Sequence, residues 1–545
     1  MATTEESAPA VEALRAATTI CELFQATAPL RGDAVAVRTP DGSLELTYAQ
    51  LRDEVERVAR GLNRLGVRAG DTVGLMMLNR PEFHVVDLAA IHLGATPFSV
   101  YNTSSPEQIE YLFADAGNRV AVVDRAFADR IPAGPDVVLV EELAGLDPDP
   151  DLDFEAAWRA VGADDVLTLI YTSGTTGPPK GVELTHANLL AELRGLDDFL
   201  GAMPPGRAVS FLPSAHIADR WASQYTAICT YGHTLTCCPD PREVMTVVRD
   251  VRPTIFGAVP RVWEKARAAL EAGGVPKEAV KAALGLEECR RCVVGAAPIP
   301  VDVLEYFAAA GMVIQEVWGM SELSCVATMV PAGEPRFGTV GLPIDGVELK
   351  LADDGELLVR GGIVMRGYRN QPEKTAEALD PDGWLHTGDV AKIDDDGFVS
   401  IVDRKKELII NSAGKNMSPA NIEAALKAAG PLIGQACVIG DRRPYNVALL
   451  TLDPESGADP RNPEVIARVQ SEVDAANSRL SRVEQIKRFA LLEDEWLPGG
   501  DELTPTMKLR RRPIGEKYAA RVEELYDGPE ARRQSQNAGL DAPRR

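Results

Sequence analysis

No stretch of about 18 or more uncharged apolar residues occurs in the chain, so no membrane-spanning helix is expected. The opening residues, MATTEESAPAVEALRAATTI, place acidic side chains near the start and lack a basic segment followed by an apolar run. That argues against a secretory signal. Basic charge is in short supply: 57 Lys and Arg stand against 81 Asp and Glu, a formal net charge of -24. A phosphate backbone is repelled by such a surface, so no nonspecific nucleic-acid partner is expected. Cysteine is sparse, with eight residues at Cys21, Cys229, Cys237, Cys238, Cys289, Cys292, Cys325 and Cys437. In a chain this long they read as reduced, packed thiols of a cytoplasmic protein. Cys289 and Cys292 form a C-x-x-C, but zinc needs more ligands, and His233 and His386 are distant in sequence. No internal repeat is present.

With 545 residues, 45% hydrophobic and 25% charged, the composition is globular and the length exceeds one hydrophobic core. Two or more domains are expected. Short apolar runs at residues 120–124, 166–171 and 291–295 read as buried strands that end in small or Gly-rich turns. Residues 48–65 and 260–270 carry helical periodicity. This alternation predicts an α/β fold with parallel or mixed sheets covered by helices, and ligands at the strand C-termini. From about Gly338 the texture changes to short strands at residues 347–351 and 356–360 separated by Asp-Gly turns, a small β-subdomain of hairpins. A second unit is expected from about Asp403, with a helix after Ser418-Pro419 and strands at residues 436–439 and 447–452. The expected domains are therefore 1–403 and 404–526, with a polar, disordered tail at 527–545.

The strongest local signal is Tyr171-Thr172-Ser173-Gly174-Thr175-Thr176-Gly177-Pro178-Pro179-Lys180-Gly181, which follows an apolar strand. Glycines let the backbone approach phosphate oxygens, hydroxyls and N–H groups donate to them, and Lys180 adds positive charge. The loop differs from G-x-x-x-x-G-K-[ST], because Pro179 precedes the lysine and Gly181 follows it. A hydroxyl placed for Mg²⁺ directly after the lysine is missing.

Further motifs follow in order: Gly295-Ala296-Ala297-Pro298, Val317-Trp318-Gly319-Met320-Ser321-Glu322, Trp384-Leu385-His386-Thr387-Gly388-Asp389, Asp403-Arg404-Lys405-Lys406-Glu407 and Gly414-Lys415-Asn416-Met417-Ser418-Pro419. Together with the loop at Lys180, over roughly residues 20 to 525, they resemble the acyl-adenylate-forming superfamily of acyl-CoA synthetases, peptide-synthetase adenylation domains and luciferases. Phe211-Leu212-Pro213-Ser214-Ala215-His216-Ile217-Ala218-Asp219-Arg220 and Val259-Pro260-Arg261-Val262-Trp263-Glu264-Lys265 resemble its long-chain acyl-CoA synthetase branch. Ala218-Asp219 depart from the relatives' usual bulky apolar residue and Glu.

The resemblance implies a large N-terminal domain of two α/β sheets plus a small β-subdomain, and a small, mobile α+β C-terminal domain. It implies ATP, Mg²⁺ and coenzyme A as cofactors and co-substrate, and a carboxylic (fatty) acid as substrate. Thr172, Ser173, Gly174, Thr175, Thr176, Gly177 and Lys180 would hold the triphosphate, with Thr172 and Glu322 beside Mg²⁺. Gly295, Ala296, Ala297 and Trp318, followed by Gly319, Met320 and Ser321, would hold the adenine. Asp389 and Arg404, with Lys406, would reach ribose and phosphate. Lys508, in Leu503-Thr504-Pro505-Thr506-Met507-Lys508, resembles the catalytic lysine of the C-terminal domain, and Gly414 and Lys415 would border the pantetheine channel. His216 would lie near the acyl pocket or be a satisfied packing histidine. Lys508, Glu322, His216 and Lys180 are thus the candidate catalytic residues. Two other readings stay open: an acyl-AMP ligase that loads a carrier protein, and a non-catalytic nucleotide or acyl sensor. No integral membrane association is implied, only a loose peripheral one at most; a homodimer stays open.

Overall fold

The hydroxyl of Thr47 accepts the Gln50 N–H, and the Gln50 side chain accepts the Thr47 N–H at 2.8 Å, a reciprocal cap that starts the helix Tyr48–Arg64. Leu51, Val55, Val58, Ala59 and Leu62 recur at i, i+4, i+7, i+8 and i+11 and are buried, so the periodic stripe becomes the face turned to the core. The helix read over 260–270 runs Pro260–Ala272, with proline in the first turn, where a missing N–H costs nothing. The computed structural model of the chain describes residues 3–172, 178–333, 335–412, 415–504 and 507–527.

The expected strands form, at Val120–Val123, Val166–Thr172 and Arg291–Val294. A seven-stranded sheet has the order Gly367–Tyr368, Lys180–Thr185, Val166–Thr172, Thr96–Ser99, Thr72–Met76, Val120–Val123, Asp136–Leu139. Its last five strands pair in parallel, and the first two join antiparallel. A five-stranded sheet begins with Ile255–Ala258, Arg291–Val294 and Ile314–Trp318 in parallel and ends with two short antiparallel strands.

A further four-stranded sheet joins Glu45–Thr47 and Val35–Arg38 to Thr234–Cys237 and Arg207–Ser210. The fold is therefore α/β as expected, with several sheets in the large domain where two were foreseen. The extra sheet escaped notice because its halves lie far apart in sequence and each strand is short. The hairpin of Val347–Leu351 and Glu356–Gly361 forms, within a four-stranded sheet completed by Leu385–Ile393 and Val399–Arg404.

The chain divides into two compact units. The first runs through Thr387 and takes in Ala391–Ile401; the second takes Gly388–Val390 and continues from Val402. In the second unit Ile433–Ile439, Asn446–Leu452 and Ile486–Leu491 form a sheet, with the helices Pro419–Ala428 and Pro463–Arg479 supplying Ile422, Leu426, Val469 and Val473 to its core. The tail at 528–545 lies outside the described residues. Among the described residues no helix is long and apolar enough to cross a membrane.

Candidate active site

Strands β1 (Val166–Thr172) and β2 (Lys180–Thr185) pair antiparallel, with Thr172 opposite Lys180 and Tyr171 opposite Gly181. A Cβ on Gly181 would meet the Tyr171 ring at 3.0 Å, so glycine lets that ring lie flat across the pair. The Tyr171 hydroxyl donates to Asp115 at 2.8 Å, and Tyr111 donates to the Pro179 carbonyl at 3.1 Å. Both ends of the expected phosphate loop are thereby fixed. Ser173, Gly174, Thr175, Thr176 and Gly177 lie outside the described residues.

Three parallel strands, β3 (Ile255–Ala258), β4 (Arg291–Val294) and β5 (Ile314–Trp318), end on one edge of the second sheet. The turn after β4 carries Gly295, Ala296 and Ala297; both alanines are exposed, and Ala296 sits in the left-handed region at φ 69°. A Cβ on Gly295 would meet Val317 Cγ2 at 2.7 Å, so the glycine serves close packing against β5. Trp318, half-buried, ends β5 beside that turn. At Gly319 a Cβ would stand 1.9 Å from the Cys325 carbonyl oxygen, which makes this glycine a requirement of the backbone path. Met320 is half-buried, and the following turn, Ser321–Leu323, buries Ser321 and Glu322. Burial also pushes the Glu316 carboxyl on β5 up to about 7.

Strand β6 (Gly367–Tyr368) pairs with β2, placing Tyr368 opposite Val182. Side chains alternate along a strand, so Lys180, two residues from Val182, shares its face with Tyr368, and Thr172 joins them as the cross-strand partner of Lys180. The Lys180 ammonium lies 4.0 Å from the Tyr368 ring centroid. The Tyr368 hydroxyl donates to Glu322 Oε1 at 2.9 Å, and the Met365 N–H donates to the Glu322 carbonyl at 2.9 Å. Tyr368 thus links Lys180 to Glu322, with Thr172 paired across the strands from Lys180, and sequence reasoning missed this tyrosine. An edge-strand tyrosine 46 positions from its acidic partner offers no local pattern to find it by.

His216 caps the short helix Ile217–Asp219: its Nδ1 accepts the Ala218 N–H at 3.1 Å, a bond that places the proton of a neutral ring on Nε2. Asp219 is buried and accepts from Ser210 Oγ at 3.0 Å, so this acidic side chain faces the interior. The following π-helix, Arg220–Thr230, is anchored by Arg220, which pairs with Asp87 and donates to Ser99 at 3.0 Å, all fully or nearly fully buried. Cys289 and Cys292 are free thiols with their sulfurs 3.5 Å apart. Among the described residues no cluster of three or more His, Cys, Asp or Glu is placed to hold a metal ion.

The second unit carries the remaining candidates. Arg404 Nε meets Asp389 Oδ1 at 2.8 Å, with Asp389 nearly buried and Arg404 largely open to solvent. Asp403 accepts the Arg404 N–H at 2.6 Å, the Ser418 hydroxyl at 2.6 Å and the Ala420 N–H at 3.2 Å, which ties the chain to the start of helix Pro419–Ala428. Lys406 and Lys415 are exposed; the Lys415 N–H donates to Asn411 Oδ1 at 2.9 Å. Gly414 lies outside the described residues. Lys508 is exposed on a tight turn, its N–H donating to Thr504 Oγ1 at 3.0 Å while its carbonyl accepts the Thr504 N–H at 2.8 Å.

The model of the AMP-binding enzyme family matches residues 24–369, and that of the AMP-binding enzyme C-terminal domain matches 406–530. The chain belongs to the AMP-binding enzyme family. The acyl-adenylate-forming resemblance read from the motifs is borne out, including its long-chain branch. A relative in Mycobacterium tuberculosis, provisionally named fatty-acid–CoA ligase fadD11, is 49% identical across 69% of this chain and 76% of its own length. The long-chain-fatty-acid–CoA ligase FadD15 of Mycobacterium bovis is 34% identical across 89% of this chain and 92% of its own. Among solved structures of the family, O-succinylbenzoate coenzyme A synthetase from Bacillus subtilis, in complex with ATP and magnesium ion, is 25% identical with a TM-score of 0.74, covering 90% of this chain and 98% of that one. The adenylation domain of a carboxylate reductase from Mycobacterium chelonae shares the fold, with a TM-score of 0.80 over 95% and 93% of the two chains at 19% identity.

Proposed function

We propose that this protein is an ATP-dependent fatty-acid–CoA ligase, selective for long chains, that works through an acyl-AMP intermediate. A carboxylate is a poor acyl donor because its oxygen leaves badly. Its attack on the α-phosphorus of ATP forms a P–O bond and expels pyrophosphate. The thiol sulfur of coenzyme A then attacks the acyl carbon, and AMP leaves with the C–O electron pair. No side chain need form a covalent bond; the protein positions reactants and stabilises charge.

In this reading Thr172 and Lys180, with the loop between them, hold the triphosphate. Glu322 and Thr172 would hold Mg²⁺. The fit is chemical: both are hard oxygen donors, Glu322 is 6% exposed, and Mg²⁺ takes few protein ligands while keeping its waters. When bound, the ion neutralises triphosphate charge. Adenine would rest between the Gly295-Ala296-Ala297 turn and the Trp318 ring, and ribose against Asp389 and Arg404. Lys508 would bridge carboxylate and α-phosphate, and the segment at Gly414 and Lys415 would border the thiol's path. We assign residues 1–403 to nucleotide and acid binding and 404–526 to a mobile domain. His216 would combine its capping bond with a place near the acid. A cytoplasmic location fits this chemistry.

One observation carries the reading: a single sheet face presents Thr172, Lys180 and Tyr368, with Glu322 bonded to the tyrosine, in a chain of the AMP-binding enzyme family. The test is exchange of labelled pyrophosphate into ATP with Mg²⁺ across a panel of acids, followed by addition of free coenzyme A. Exchange dependent on a long-chain acid, then consumption of coenzyme A, is expected. Acyl-AMP that accumulates and leaves free coenzyme A untouched would point instead to loading of a carrier protein, and absence of exchange with every acid would leave only a binding role.

A further inference from the structure

Two opposite charges converge on Tyr368 from different directions. The Glu322 carboxylate accepts a hydrogen bond from its hydroxyl at 2.9 Å, and the Lys180 ammonium rests on its ring face, 4.0 Å from the centroid. The ring is 7% exposed, and its backbone is fixed by pairing with β2 and by donation of the Tyr368 N–H to Thr375 Oγ1 at 2.9 Å. The turn that carries Glu322 is fastened to the same segment: the Met365 N–H donates to the Glu322 carbonyl, and Ser324 Oγ donates to the Ile363 carbonyl at 2.8 Å. The phenol therefore bridges two elements that the nucleotide would also bridge.

We infer that Tyr368 is a positioning residue for the metal–triphosphate site, aiming the Glu322 carboxylate through its hydroxyl and holding the Lys180 ammonium on its ring face. The inference rests on the ligase reading. Physically, the two contacts do different work. A hydrogen bond to one carboxylate oxygen fixes the plane of the group and leaves the other oxygen for a hard cation. A quadrupolar ring face attracts an ammonium without neutralising its charge.

The two contacts can be separated. Y368F removes only the hydroxyl and keeps the ring; Y368L removes both. Equilibrium ATP binding by the full chain, measured by calorimetry at graded Mg²⁺ without any acid, reads the effect apart from turnover. Y368F is expected to raise the Mg²⁺ half-saturation about tenfold while ATP affinity at saturating Mg²⁺ stays within about twofold. Y368L should add a loss of ATP affinity of about threefold at saturating Mg²⁺. In an E322A background, Y368F should shift the Mg²⁺ titration by less than about twofold, because its partner is gone. A Mg²⁺ titration of Y368F that overlays the wild type, or an equal shift with and without Glu322, would overturn the inference. So would a Y368F chain that melts far below the wild type, since the hydroxyl would then serve stability. Wild-type protein that binds no ATP at any Mg²⁺ level would instead bring down the ligase reading, and this inference with it.

Discussion

Lys508 stands on a turn closed by two hydrogen bonds to Thr504, between Leu503 and Leu509, which bridge antiparallel. Its side chain is exposed, so it fills no place in the core. Lys508→Ala is expected to cut acid-dependent pyrophosphate exchange by about 10²–10³-fold with an unchanged melting temperature. Retained exchange would strip the residue of its proposed task. Asp219 offers a different single-residue test. Burial pushes its carboxyl from 3.8 to about 7. The folded chain therefore holds a proton that the unfolded chain has released. The stability this proton contributes is complete below about pH 3.8 and is lost as pH rises through about 7. Buried His84, His92 and His233, each held down at about 4, act in the opposite sense and lose their contribution as pH falls. A comparison of Asp219→Asn with wild type by urea melts at several pH values isolates the aspartate. The difference between the two proteins should change by at most about 1.4 kcal/mol per pH unit between pH 4 and 7, and a constant difference would rule the buried proton out.

At the scale of elements, the turn from β5 into Ser321–Leu323 does the most with the fewest residues. Gly319 lets the strand end pass against the Cys325 carbonyl, and Ser324 and Cys325 both hold positive φ, at 61° and 145°. Gly319→Ala places a methyl group against backbone that no side-chain rotation can relieve. A loss of about 1–3 kcal/mol is expected, together with weaker ATP binding, because Trp318, Ser321 and Glu322 ride on the same turn. Normal melting and normal ATP affinity in that variant would contradict the close approach. Gly295→Ala should be milder, since its first obstacle is the end of the Val317 side chain.

For the whole molecule, the passage into the second unit matters most. Asp403 is buried and pins that passage to the start of helix Pro419–Ala428 through Ser418 and Ala420. If the second unit turns between the two half-reactions, Asp403→Pro should impair thioester formation more than pyrophosphate exchange. Asp403→Asn is the control: it loses the charged acceptor but keeps a free backbone. It should lower the stability of the second unit by about 1–3 kcal/mol and affect both steps alike. Equal loss of both steps in Asp403→Pro would count against rotation at this point.

What the sequence determined by itself was local or ordered along the chain. Caps and apolar spacing defined helices such as Tyr48–Arg64, alternation of strands and helices defined the α/β class, and motif order defined the family, because each is written in neighbouring residues or in their succession. Tertiary structure decided what depends on distant segments meeting. It assembled a four-stranded sheet from strands nearly two hundred positions apart, turned Asp219 inward, and gave Gly319 its steric necessity. It also placed Tyr368 between Lys180 and Glu322, a juxtaposition set by strand register and side-chain alternation rather than by any spacing along the chain.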